Sequence, residues 1–106
     1  VPIHRVVLSG RGSEHRVVPR RLEVSPGSVV EFLAVDGRVR TLEFPLDSLG
    51  GRAAEFLRRT GQEASPPLVD RRERFVLSLR EAPPGRYPFR SRGSGGEGWG
   101  AIVVRE

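Results

Sequence analysis

The chain has 106 residues, 37% of them hydrophobic and 29% charged, which suits one domain with a single core and excludes a disordered polymer. There is no cysteine, so no disulfide holds the fold, and no apolar run reaches the roughly 18 residues a membrane-spanning helix needs. All 18 basic residues are arginine and the formal net charge is +5, a balance that steers a protein toward acidic partners, anionic lipid heads or nucleic acid.

In chain order, Ile3 to Leu8 reads as a first strand. Gly10-Arg11-Gly12-Ser13 is a turn, and His15 to Val18 pairs back as a second strand. His4 and His15 can then face each other across the hairpin. Two imidazoles alone make a weak metal site, and ordinary edge histidines are the plainer reading. Pro19 ends the second strand, Leu22 to Val24 carries the chain on, and Ser25-Pro26-Gly27-Ser28 is a turn. Val29 to Val35 is a strand with Val30 and Phe32 inward and Glu31 outward. After a tight turn at Asp36-Gly37, Val39 to Phe44 puts Arg40, Leu42 and Phe44 on one face and Thr41 and Glu43 on the other.

Pro45 breaks the sheet. Leu49, Ala53, Phe56 and Leu57 then recur at helical spacing, so one short helix is inserted near residues 48–60. Asp47 or Ser48 is its expected N-cap, Arg58 and Arg59 suit its C-terminal dipole, and Gly61 suits the left-handed position that ends it. Gly50 and Gly51 weaken the first turn, which makes the helix firm from about Arg52. A loop with two prolines follows, and Leu68 to Arg72 leads into a strand from Phe75 to Leu79 with Phe75, Leu77 and Leu79 inward. The last stretch, Gly85 to Val104, reads as strand, loop, strand. Tyr87, Phe89 and Ser91 share its inner face, Arg92 to Gly98 forms a loop with four glycines, and Ile102-Val103-Val104 closes it.

Seven or eight short strands with one inserted helix predict an all-β, Greek-key β-sandwich spanning 1–106, with an immunoglobulin-like arrangement as the competing pattern. No cysteine nucleophile exists and neither histidine sits in a Ser/His/Asp-like context, so no catalytic role is expected. Arg71-Arg72-Glu73-Arg74 is the densest basic run. Its aromatic-poor surroundings offer no base-stacking platform, so no nucleic-acid partner is expected. The use of arginine without any lysine reflects genome composition bias more than function. Starting at Val1 and holding no methionine, the chain is expected to be a processed or trimmed product.

The last stretch resembles the C-terminal ligand loop of the cupredoxins, the plastocyanin/azurin-like blue-copper proteins. Pro84, Gly85, Tyr87, Phe89, Gly98, Gly100, Ile102 and Val104 match its scaffold residues. Upstream, Pro19 to Phe32 resembles the family's P-x-x-L-x-V-x-x-G-D-x-V-x-F segment, and Asp36 to Phe44 resembles its segment ending in H-T/N-V-x-F. The match spans roughly Val17 to Val104. The copper ligands themselves are replaced: Arg40 stands for the first histidine, Ser91 for the cysteine, Ser94 at or near the second histidine, and Trp99 for the axial methionine. A type 1 site needs two imidazoles, a thiolate and a weak axial ligand. A guanidinium is permanently charged and does not bind a cation. The resemblance therefore implies a cupredoxin-like domain lacking its copper site, with no cofactor.

Four expectations follow from that resemblance. The domain serves as a structural or protein-interaction module, an accessory subunit of a respiratory or photosynthetic electron-transfer complex. It lies in the periplasm or elsewhere outside the cytoplasm, its signal peptide removed. Trp99, Arg90, Arg92, Arg71, Arg72 and Arg74 are the candidate partner-binding residues. Arg40 points toward the old metal end and reaches solvent or pairs with a carboxylate, Glu97 being the candidate, while Trp99 either plugs the vacated cavity, the favoured reading, or stands exposed as an anchor. The alternatives are an anion- or small-ligand-binding module using Arg40, Arg90 and Arg92 around the glycine loop, and an electron carrier with an unconventional metal site.

Overall fold

In the computed structural model, which describes residues 2–106, two four-stranded sheets face each other across one apolar core. The first holds β1 (Ile3–Ser9), β2 (Arg16–Val18), β4 (Val29–Ala34) and β6 (Arg74–Ser78), in the order β2-β1-β4-β6. The second holds β3 (Arg21–Val24), β5 (Arg40–Glu43), β7 (Gly85–Gly93) and β8 (Gly96–Val104), in the order β3-β8-β7-β5. β1 runs parallel to β4 and β3 parallel to β8, and the remaining pairs are antiparallel. This is the predicted Greek-key sandwich.

Period-two alternation sets which face each strand buries. In β4, Val30, Phe32 and Ala34 are inward, while Val29, Glu31 and Leu33 are less covered. Leu42, Tyr87, Phe89, Ile102 and Val104 supply the facing layer from the second sheet. Phe32 sits at the centre, its ring centroid 5.0 Å from Phe89 and 6.2 Å from Phe44, both edge-on. Each such buried ring contributes about 1.5–3 kcal/mol through burial, and the edge contacts add roughly 0.5–1.5 kcal/mol each. Phe75, expected inward, is only half-buried. It pairs with Phe32 at the far edge of the first sheet, where no further strand covers it. Tyr87 is buried and its hydroxyl donates to the Pro83 carbonyl at 2.8 Å, which fixes the turn entering β7.

The inserted helix α1 spans Gly51–Thr60 and buries Ala53, Ala54, Phe56 and Leu57. Its cap differs from expectation. Asp47 and Ser48 lie in a separate 3₁₀ turn (Leu46–Ser48) closed by the Leu49 N–H on the Leu46 carbonyl, and Gly50 occupies the N-cap without a side-chain bond. Gly61 ends the helix at φ +67°, a conformation glycine adopts at little cost.

Two pairings correct the sequence reading. First, β2 starts at Arg16, opposite Ser9, so His15 lies beyond the ladder, while His4 stands opposite Val30 of β4. The two histidines do not face each other. Second, the stretch Arg92 to Gly98 is not a loop. β7 and β8 pair without interruption from Gly85↔Val104 to Gly93↔Gly96, leaving Ser94-Gly95 as a two-residue turn with Gly95 at φ +79°. Cross-strand pairs on the outer face, Arg90↔Trp99 and Arg92↔Glu97, favour this closure over an open loop.

Candidate functional site

The end of the sandwich where Arg40 lies is filled from within. β5 turns Arg40 inward beside Leu42, and the residue is 1% exposed. Its Nη2 donates to Asp36 Oδ1 at 2.5 Å, and its Nη1 donates to the Leu8 carbonyl at 3.4 Å. Its Nε is buried and has no partner among the described residues. Asp36, 26% exposed at the mouth, also accepts the Arg38 N–H at 3.2 Å. Burial pushes the Asp36 carboxyl up. The Arg40 hydrogen bond, the Arg38 N–H and the Arg40 charge outweigh that effect and hold it below the usual aspartate value. Arg40 thus pairs with Asp36 and not with Glu97. Glu97 occupies an outward position of β8 and lies 3.8 Å from Arg90.

Glycines on the inner face of β8 let the chain close over this end. A side-chain carbon at Gly96 would meet the Ser13 carbonyl at 2.7 Å, one at Gly98 the His15 carbonyl at 2.3 Å, and one at Gly100 the Phe89 ring at 2.6 Å. The glycine run is therefore spaced to seat residues 13–20 and the Phe89 ring against β8. His15, 8% exposed, lies beneath the tip, its Nε2 3.3 Å from the Ser94 carbonyl and its Nδ1 unpartnered among the described residues. Arg38 clamps the rim from outside, donating to the carbonyls of Glu14 (3.0 Å), Gly12 (2.5 Å) and Ser94 (3.4 Å).

The four positions matching copper ligands are thus dispersed. Arg40 and Ser91 are buried, Ser94 is exposed at the turn, and Trp99 is on the outer face of β8, 40% exposed. Trp99 does not plug the interior; Arg40, Ser91 and His15 occupy it. On the outer face, Arg90 lies with its guanidinium carbon 5.5 Å from the Trp99 ring centroid, a cation–π contact, and its Nε donates to Glu43 Oε1. Arg92 Nη1 reaches the same carboxylate at 3.4 Å. Arg40 therefore does not converge with Arg90 and Arg92 around a glycine loop: one lies inside, two outside on Glu43.

Arg71, Arg72 and Arg74 belong elsewhere. Arg71 and Arg72 are exposed in the turn before β6, Arg72 at φ +66°, and Arg74 pairs with Glu31 at 2.8 Å on the outer face of the first sheet. The structure separates them from the Trp99 group. Three contributors escaped the sequence reading: Asp36, read only as a turn residue, Arg38, and His15, read as an edge histidine. The spacing of Asp36 four residues before an inward Arg40 is the one signal that pointed to the pair.

The donor chemistry does not fit a type 1 copper ion. A guanidinium and two hydroxyls replace the imidazoles and thiolate, the indole is turned out, and His15 is the single imidazole at this end. Among the described residues no group of three or more His, Cys, Asp or Glu side chains is positioned to hold a metal. No helix among them is long and apolar enough to cross a membrane.

Comparison with solved structures finds cupredoxins of this architecture. It is 25% identical to a pseudoazurin from Sinorhizobium meliloti, covering 100% of this chain and 76% of that one at a TM-score of 0.57. Against plastocyanin from Dryopteris crassirhizoma it is 20% identical, covering 95% and 99%, at a TM-score of 0.70. A purple cupredoxin from Nitrosopumilus maritimus aligns at 15% identity over 94% and 97%, with a TM-score of 0.63. No protein-family model matches, and no curated protein does. The chain is a cupredoxin-like β-sandwich that has no cysteine and, among the described residues, no group positioned to hold a metal.

Proposed function

We propose that this domain is a copper-free, non-catalytic interaction module that docks a protein partner through the outer face of the β7–β8 hairpin, as an accessory subunit of an electron-transfer complex outside the cytoplasm. The observation that carries the reading is the division of labour along that hairpin. Its inner face is spent on close packing at its glycines against residues 13–20, while its outer face presents Trp99 held by Arg90. A half-exposed tryptophan fixed in orientation beside arginines has the composition of a binding hot spot. Ser91 is buried, and no imidazole is among its hydrogen-bond partners, so a serine nucleophile has no base. The complex and the compartment rest on analogy with the pseudoazurin and plastocyanin likeness.

The test is affinity capture from detergent extracts of the native membrane, with wild type and Trp99→Ala side by side. A stoichiometric protein retained by the wild type and lost with Trp99→Ala is the expected result. Equal retention by both removes this face from the account. Titration with Cu(II) and Cu(I) checks the copper-free part, with no intense visible charge-transfer band expected.

A further inference from the structure

We propose that the concavity beside Trp99, which crosses β8 from β3 to β7 on the outer sheet face, takes an acidic, extended segment of a partner protein, with Trp99 as the apolar anchor and Arg20, Arg21 and Arg86 as the carboxylate contacts. This rests on the reading of that face as a docking surface. The concavity has a volume of about 540 Å³. Pro88, Gly100 and Ala101 floor it, Trp99 walls it, and the three arginines rim it. No carboxylate borders it. Arg20 and Arg86 make no ion pair among the described residues, and Arg21 has only an exposed one, with Glu23 at 3.6 Å.

The surroundings narrow the occupant further. On the opposite side of Trp99 a second concavity of about 530 Å³ is bordered by Glu14 and Glu97 as well as Arg16 and Arg20, so its charges offset. The uncompensated positive charge is thus confined to one side of the ring. Arg90, stacked on Trp99 and anchored by Glu43, holds the ring in place between the two concavities. β3 and β7 flank β8, with Arg21 opposite Ala101 and Arg86 opposite Val103, so the two lie two strand spacings apart and two residues offset, roughly 12 Å, a gap that carboxylates four residues apart on one face of an extended chain span. Pro88, Gly100 and Ala101 beside Trp99 give the floor an apolar character that suits an apolar side chain of the partner segment. Electrostatic complementarity of this kind governs association rate and partner choice, and salt screens it.

Trp99 is the only tryptophan, so its fluorescence reports occupancy directly. The probe is a short synthetic peptide rich in Glu and Asp with one Leu, titrated into the whole protein at low and at physiological salt. A lysine peptide of the same design and vesicles of phosphatidylglycerol serve as comparisons. A saturable blue shift with the acidic peptide alone, weakened about tenfold by Arg20→Glu with Arg86→Glu and weakened by salt, is the expected result. Thermal melts establish that the charge-reversed protein is folded. No saturable change with the acidic peptide, or equal affinity after charge reversal, overturns the inference, and a shift with vesicles alone reassigns the face to an anionic membrane surface. The failure modes are separable. If Trp99→Ala abolishes capture of the native partner while the charge reversals do not, docking stands and the acidic occupant falls. If Trp99→Ala leaves capture intact, the docking reading itself falls.

Discussion

Removing the Asp36 carboxylate is the sharpest test of how this fold holds together where copper ligands are replaced. The Arg40 side chain is 0% exposed and that of Asp36 is 26% exposed, so the two ends of the pair are not equivalent. Asp36→Ala strands a guanidinium in the interior with the Leu8 carbonyl as its one remaining acceptor, and breaking a buried pair in this way costs about 3–5 kcal/mol. Arg40→Met removes the charge, keeps an unbranched chain in the space, and leaves Asp36 at the mouth where water reaches it. That substitution should cost only about 1–2 kcal/mol. The double variant should resemble Arg40→Met alone, a coupling as large as the Asp36→Ala cost itself, about 3–5 kcal/mol. Urea denaturation of the four proteins, with slopes compared, measures this. A loss below about 1 kcal/mol for Asp36→Ala, or Arg40→Met proving the more damaging, would refute the buried-pair account. The pH dependence has a definite sign. The folded carboxyl titrates below its unfolded value of about 3.9, so the pair's contribution is complete above that pH and is lost as pH falls through the depressed folded value.

Glycine supplies a contrasting pair of tests: Gly98→Ala should cost about 3 kcal/mol, since the added carbon meets the His15 carbonyl at 2.3 Å, whereas Gly51→Ala, in open space at the helix start, should gain about 0.5–1 kcal/mol in thermal or urea melts. Trp99→Ala should cost only about 1 kcal/mol, the loss of a partly exposed ring and its cation–π contact, and the wild-type emission should be freely quenched by acrylamide. Burial pushes the Tyr87 phenol up to about 12, above its unfolded value of about 10, so that contribution is present below pH 10 and is lost as pH rises toward 12. Tyr87→Phe should remove that alkaline limb from a stability–pH profile.

Most of the sandwich was legible in the alternation of apolar residues, and so was the inward direction of Arg40, because Leu42 and Phe44 fix the parity of β5. The partner of Arg40 was not legible. Asp36 lies in a turn, where side-chain direction follows from how Gly10 and Arg38 approach it and not from any period. The place of Trp99 was legible in principle. Counting back from inward Ile102 and Val104 puts positions 100, 98 and 96 inside and Trp99 outside. Reading Arg92 to Gly98 as a loop hid that count, because four glycines read locally as flexibility when here they are sites of close backbone approach. His15 escaped for a related reason. Its burial depends on the hairpin tip folding over it, a contact between residues far apart in sequence.

A cupredoxin-like fold that stands without type 1 copper ligands has a physical basis in the hairpin. Fixed bonds inside and at the rim hold this end together: Arg40 bonds Asp36 and Leu8 within, and Arg38 ties the carbonyls of Gly12, Glu14 and Ser94 from outside. None of these bonds involves the outward residues of β7 and β8. Because side chains on a strand alternate strictly, Phe89 and Ser91 answer to packing while Arg90 and Arg92 answer to solvent and partner. Substitutions inside the hairpin should therefore move stability first, and substitutions outside should move binding first. A variant of Arg86 that melts like wild type, or of Trp99 that loses only about 1 kcal/mol, yet fails to bind is the signature of that separation. A variant of Gly98 that binds normally when folded, but melts early, is its counterpart.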